Sequence, residues 1–166
     1  MWRFISLFVV VLAVLFGIEK LNVVQAAAIY PWTSFLAWFS AGLMTVFDAD
    51  VISYGRIIQS QATGFGVSIE AGCNGVEAVI ILMAGMVAFP APIRLKLIGV
   101  LIGCVAVQAA NILRVISLYY LGKWDKEVFD FAHLYLWQAL IMLDVLVVWL
   151  LWIRAVARQS GARLAA

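Results

Sequence analysis

The sequence predicts an all-α integral membrane protein with about four transmembrane helices, an interfacial or re-entrant helix, and a short extracytoplasmic hairpin or loop. Three observations predict it. Of the 166 residues, 66% are hydrophobic and 12% charged, more apolar surface than a soluble domain of this size can hide. Four apolar stretches meet the roughly 20 residues that a bilayer core requires. The charges between those stretches segregate by sign and by side.

The whole chain, 1–166, reads as one membrane-embedded domain. The first helix is expected over about 4–24, where Arg3 precedes an apolar run ending at Ile18. Ala26 and Ala28 offer a small-x-small cleavage pattern, but Glu19 and Lys20 interrupt the stretch, so it is expected to be a retained anchor. Residues 31–47 are apolar and aromatic but short, with Trp32 and Trp38 placed for an interface. Residues 48–72 carry Gly55, Gly64 and Gly66 and alternate over 66–70, as an extracytoplasmic hairpin or loop would. The second helix, about 73–89, is stopped by Pro90 and Pro92. The third runs over about 97–121, before Gly122. The fourth runs over about 133–153.

Charge sets the topology. With four spans, Arg3, Arg94, Lys96, Arg154, Arg158 and Arg163 share one side with no Asp or Glu. Asp48, Asp50, Arg56, Glu70, Lys123, Asp125, Lys126, Glu127 and Asp130 fall on the other. That is the positive-inside pattern with both termini cytoplasmic. Were 31–47 to span as well, Arg3 and the C-terminal arginines would be on opposite sides, so this stretch is expected to lie in the interface or re-enter.

The chain offers few other chemistries. Its two cysteines, Cys73 and Cys104, are far apart and form no CxxC pair, which argues against a disulfide scaffold and a thiol oxidoreductase. One histidine and dispersed cysteines supply no metal set, and no cofactor is expected. No basic run suggests nucleic acid. The surrounding partner is membrane lipid.

Cys73 sits in Ala71-Gly72-Cys73-Asn74-Gly75, where the loop enters the second helix. A thiol at a helix N-terminus is expected to have a lowered pKa, and the thiolate is the nucleophile. Glu77, four residues on, would share its helix face. The plainer reading is a small buried hydrophobe. Arg114 lies within an apolar span, where insertion costs at least ~2.5–3.5 kcal/mol and calls for a partner or a role. Gln108, Asn111 and Ser117 form a slowly winding polar stripe with it. Its alternative role is a structural ion pair, for instance with Glu77. His133, the only histidine, opens the fourth helix, with Trp137 and Asp144 near its face. Taken alone, it reads as a solvated interfacial group. Under the charge-derived topology, however, Cys73, Arg114 and His133 converge in one outer layer from three separate helices. That constellation fits a thiol nucleophile, a proton-sharing imidazole and a guanidinium that stabilises an oxyanion or thiolate. Asn111 would orient Arg114 or bind substrate backbone.

The segments Glu70-Ala71-Gly72-Cys73-Asn74-Gly75-Val76-Glu77-Ala78, Ala88-Phe89-Pro90-Ala91-Pro92, Asn111-Ile112-Leu113-Arg114-Val115-Ile116-Ser117-Leu118 and Ala132-His133-Leu134-Tyr135-Leu136-Trp137-Gln138 resemble the exosortase/archaeosortase family, most closely its small exosortase H group. The likeness covers most of the chain from about Pro31 onward. Cys73, Arg114 and His133 fall on the family's cysteine, arginine and histidine positions. Asn111, Glu77, Asn74 and Trp137 stand beside them as supporting or substrate-binding candidates. The resemblance implies a bacterial inner-membrane enzyme facing the periplasm. It would act on exported proteins ending in a short motif, a transmembrane helix and a basic tail, and transfer them to a surface acceptor. The resemblance implies a chain that is short compared with full exosortases, without their extra N-terminal spans. Two rival readings are a non-enzymatic membrane scaffold subunit and a small transporter using Glu77, Arg114, His133 and Asp144. The almost wholly apolar first helix disfavours the transporter.

Overall fold

A computed structural model describes residues 2–164, with side chains through residue 159. Arg163, one of the expected inner charges, lies outside the described side chains.

The chain is all-helical apart from one small sheet. Helix α1 is Trp2–Glu19, α2 is Asn22–Val24, and α3 is Tyr30–Met44, with a wider π-turn, Gln25–Ile29, joining the last two. That turn has a local cause. Tyr30 N–H donates to Gln25 O, five residues back, and Pro31 has no N–H to continue the α pattern. Three strands follow: β1 Val51–Tyr54, β2 Ile57–Ser60 and β3 Gly66–Ser68. Then come α4 Val76–Ala88, α5 Ile93–Trp124, α6 Lys126–Phe131, a second π-turn Ala132–Leu136, and α7 Trp137–Leu164.

Residues 48–72, read as a loop or hairpin, form an antiparallel meander of order β1-β2-β3. Tyr54 pairs with Ile57 and Ile57 with Ser68. Gly55 and Arg56 make the two-residue β1–β2 turn. Gly55 has φ of 54°, the left-handed conformation that such turns require at their first central position. Asp50 fixes the sheet to its neighbours. It accepts from Ser60 Oγ and from the Ala62 N–H, and pairs with Lys123 at 3.5 Å. The Ser60 hydrogen bond, then that from Ala62, holds its carboxyl below the usual carboxylate range.

Two cores result. In one, Leu36, Ala37 and Met44 of α3 and Val51 and Ile58 of the sheet close on Val115 and Tyr119 of α5. In the other, Ala78, Leu82 and Met86 of α4 meet Val107 of α5 and Ile141, Val145 and Trp152 of α7. Helix α4 is central, packed by α1, α5 and α7. Small residues let α5 approach closely. A Cβ on Gly99 would lie 2.3 Å from Trp152, and one on Gly103 would lie 2.5 Å from Leu82 Cδ2. Trp152 Nε1 also donates to Leu95 O at 2.9 Å.

The outward surface is apolar. Val9, Val10 and Val14 of α1, Leu97, Leu101 and Val105 of α5, and Leu143, Leu146 and Leu151 of α7 are all exposed. Lipid is the solvent that such a surface requires. Three segments are long and apolar enough to cross a membrane: Trp2–Glu19, Ile93–Trp124 and Lys126–Gln159. The fourth expected span, α4, has only 13 residues, about 20 Å at 1.5 Å per residue.

Contacts define two ends of the bundle. Phe4 stacks near Phe89 and Trp149, and Phe89 meets Trp152, so Arg3, Arg94, Lys96 and Arg154 gather at one end. The sheet, α6 and the segment 70–75 occupy the other.

Candidate active site

Three backbone features bring Cys73 to its position. Gly72 and Gly75 flank Cys73-Asn74 with φ of 83° and 73°, so the chain turns sharply twice before helix α4 begins at Val76. Cys73 N–H donates to Glu70 O at 2.9 Å within that turn. The buried Asn74 closes an Asx turn just ahead of the helix, with its Oδ1 accepting from Val76 N–H at 3.0 Å. Asn74 also ties the turn to α3: its Nδ2 donates to Thr33 Oγ1, and its carbonyl accepts from Trp32 Nε1, each at 3.4 Å.

The expected position of Cys73, opening a helix, is therefore corrected. It lies in a turn three residues ahead of Val76. The expected lowering of its pKa is corrected too. Burial pushes the Cys73 thiol above its ordinary value. Arg114 opposes that rise, and Glu77 and Glu70 add to it.

Arg114 comes from α5 and is only 4% exposed. Its Nη2 lies 3.5 Å from Cys73 Sγ and donates toward it, while Nη1 donates to Gly72 O at 3.2 Å. Glu77 does not pair with it. Glu77 Oε1 accepts from Gly72 N–H at 2.8 Å, and among the described residues no carboxylate lies within ion-pair distance of Arg114. The guanidinium is thus buried without a carboxylate and directed at sulfur, an arrangement that favours the thiolate when it forms.

His133 comes from the π-turn leading into α7. Its Nδ1 and Nε2 lie 3.8 and 3.9 Å from Cys73 Sγ. Such contacts are long for proton transfer, as is common before substrate closes a site. Phe129, four residues earlier, stacks on the imidazole with centroids 5.5 Å apart and planes at 6°, which fixes the ring's plane. Sequence reasoning missed Phe129; its signal is the i,i+4 spacing to His133. It also missed Trp32 and Thr33, whose role depends on α3 folding back over the turn.

The three groups line a cavity of about 180 Å³ together with Val67, Ser68 and Phe129. Other candidates sit elsewhere. Asn111 is fully buried but makes no hydrogen bond to Arg114; both its side-chain polar atoms lack a partner. It lies against Gly75, where a Cβ would come within 3.2 Å of Asn111 Cγ and 2.8 Å of Gln108 Nε2. Trp137 packs against the α4–α7 core instead of entering the cavity. Among the described residues no cluster of His, Cys, Asp and Glu could hold a metal ion.

Long apolar helices with a lipid-facing surface define this chain as an integral membrane protein. The family model described as transmembrane exosortase (Exosortase_EpsH) matches residues 1–152. The chain belongs to the transmembrane exosortase family. Comparison with curated proteins and with solved structures found no match.

Proposed function

We propose that this chain is a membrane-embedded cysteine transpeptidase that cleaves the C-terminal sorting signals of exported proteins. Its substrates carry a short motif, a transmembrane helix and a basic tail. The observation that carries the reading is Arg114: a buried guanidinium with no carboxylate partner among the described residues, 3.5 Å from a thiol that an imidazole also approaches.

The chemistry follows from those atoms. Cys73 loses its proton to His133, and the thiolate attacks the scissile carbonyl carbon. The negative charge passes from sulfur to the carbonyl oxygen, and the Arg114 guanidinium offsets it in a water-poor site. When the C–N bond breaks, His133 returns the proton to the leaving amine. The remaining acyl group is a thioester on Cys73. An acceptor amine or water then attacks it, and the thiol is regenerated.

The topology in this reading has four spans, with α4 as the short central one and α3 lying in the outer interface. Both termini are cytoplasmic in a bacterial inner membrane, with Arg3, Arg94, Lys96 and Arg154 inside. The substrate helix docks laterally with its basic tail on that same side, which brings its outer end to Cys73.

The test is co-expression with an exported protein bearing such a C-terminal signal, followed by mass spectrometry of the chain for a thioester at Cys73. Cys73→Ala should abolish processing and leave the thermal unfolding midpoint in detergent unchanged. Normal processing by that variant would remove the nucleophile assignment.

A further inference from the structure

The sheet has a free edge, and that edge opens onto the thiol. Order β1-β2-β3 leaves β3 unpaired on one side. Ser60 N–H donates to Phe65 O, Ile69 N–H donates to Arg56 O, and Ile58 pairs with Val67. Residues 65, 67 and 69 therefore spend their backbone groups on β2. By strand alternation, the N–H and C=O of Gly66 and Ser68 point the other way. A cavity of about 370 Å³ lies beside that edge, bounded across from it by Lys126 and Phe129. It shares Val67, Ser68 and Phe129 with the cavity that holds Cys73, Arg114 and His133. The two cavities thus adjoin along β3, with Val67, Ser68 and Phe129 as their common wall.

An exposed strand edge is a template for another strand. Here the edge adjoins a nucleophile, and the charged side chains along it are engaged within the protein: Lys126 with Asp130 at 2.7 Å, Glu70 with Arg56 at 2.9 Å, and Arg114 with Gly72 O and the thiol. We propose that β3 binds the extended peptide segment preceding the scissile bond as a fourth strand, an inference that rests on the transpeptidase reading. Affinity comes from the outward groups of Gly66 and Ser68, as in other strand-addition complexes. The direction follows from the geometry. β3 runs toward Cys73, and the substrate enters from the outer side and continues into the membrane beyond the thiol. The added strand is therefore parallel to β3. One β3 residue then bonds two substrate residues that flank it, two positions apart.

The probe is acetyl-tetraalanyl chloromethyl ketone: the Cys73 thiolate attacks its chloromethyl carbon, the S–C bond forms, and the C–Cl bond breaks as chloride leaves. Its labelling of Cys73 in detergent is normalised to labelling by iodoacetamide, which has no peptide to dock. Extending the probe from one alanine to four should raise the normalised rate about tenfold or more. Ser68→Pro, which removes one outward N–H, should cancel most of that gain. Ser53→Pro, on the far edge of β1, should not. Because a proline could loosen the meander, the probe is varied as well: N-methylation at alternate alanines should reduce labelling of the unaltered protein about tenfold. Equal normalised rates for the one-residue, four-residue and N-methylated probes would overturn strand docking. That result is separable from failure of the enzyme reading, which would show as iodoacetamide labelling of Cys73 that is indifferent to Arg114.

Discussion

Replacing Arg114 with Gln should slow alkylation of Cys73 by iodoacetamide about 10- to 100-fold at neutral pH. The estimate starts from the 3.5 Å separation of Nη2 and Sγ. Unit charges at that distance attract by about 5 kcal/mol at an effective dielectric constant near 20, and by about half that if the part-open cavity doubles the screening. At 1.36 kcal/mol per factor of ten, the thiolate population falls by roughly two to three and a half powers of ten. A thiolate of higher pKa is intrinsically more nucleophilic, with a slope near 0.4–0.5, and this returns about half of the logarithmic loss. The pH profile carries the sign. Burial already raises the Cys73 pKa, so alkylation of the unaltered protein should accelerate above the ordinary thiol range. Loss of Arg114 removes the one group that opposes the rise, so the limb should move to still higher pH. Arg114→Lys should recover part of the rate. The assay is a stopped alkylation time course in detergent, read as carbamidomethyl at Cys73 against Cys104 in the same sample. A rate within twofold of the original in the Gln variant, with an unmoved limb, would refute the argument that this guanidinium stabilises the thiolate.

Three more outcomes follow from the packing. Phe129→Ala removes the ring stacked on His133, a contact of about 0.5–1.5 kcal/mol; processing should fall several-fold while iodoacetamide labelling of Cys73 holds, as measured side by side. Asn74→Ala loses the Asx turn ahead of α4 and the buried tie to Thr33, and should lower stability by about 1–3 kcal/mol in a denaturant titration. Gly103→Leu drives a side chain into Leu82, a strain of about 1–3 kcal/mol that thermal unfolding in detergent will register.

The helices were legible because lipid demands long apolar runs and proline ends them, as at Pro90 and Pro92. The meander was only half legible: alternation over 66–70 marks a strand, but Ile57-Ile58-Gln59, its partner, carries no alternation to mark it. Cys73 illustrates the limit. Its residue type and its layer could be read from the chain. Its environment could not, because two left-handed glycines delay the helix, and burial under α3 and α5 sets the thiol's pKa. The stripe Gln108–Asn111–Arg114 was visible as a three-residue repeat. Which member faces sulfur and which lies under Gly75 depends on a drift of about 60° per step relative to the helix surface, which only the neighbouring turn resolves. Trp137 misled because an aromatic near a histidine has the same spacing whether it lines a cavity or fills a core.

The contacts at Gly99 and Gly103 govern more than their own neighbourhood. From Gly103 to Arg114 is eleven residues, within about 20° of three complete revolutions of an α-helix. The guanidinium therefore lies on nearly the same azimuth as the notch at Gly103 that Leu82 fills, and about 60° from the one at Gly99 that Trp152 fills. A helix that cannot roll at one end, because its backbone is in contact with neighbouring side chains, cannot roll at the other. The orientation of the charge beside sulfur is thus set about 16 to 22 Å away, by the absence of two methyl groups.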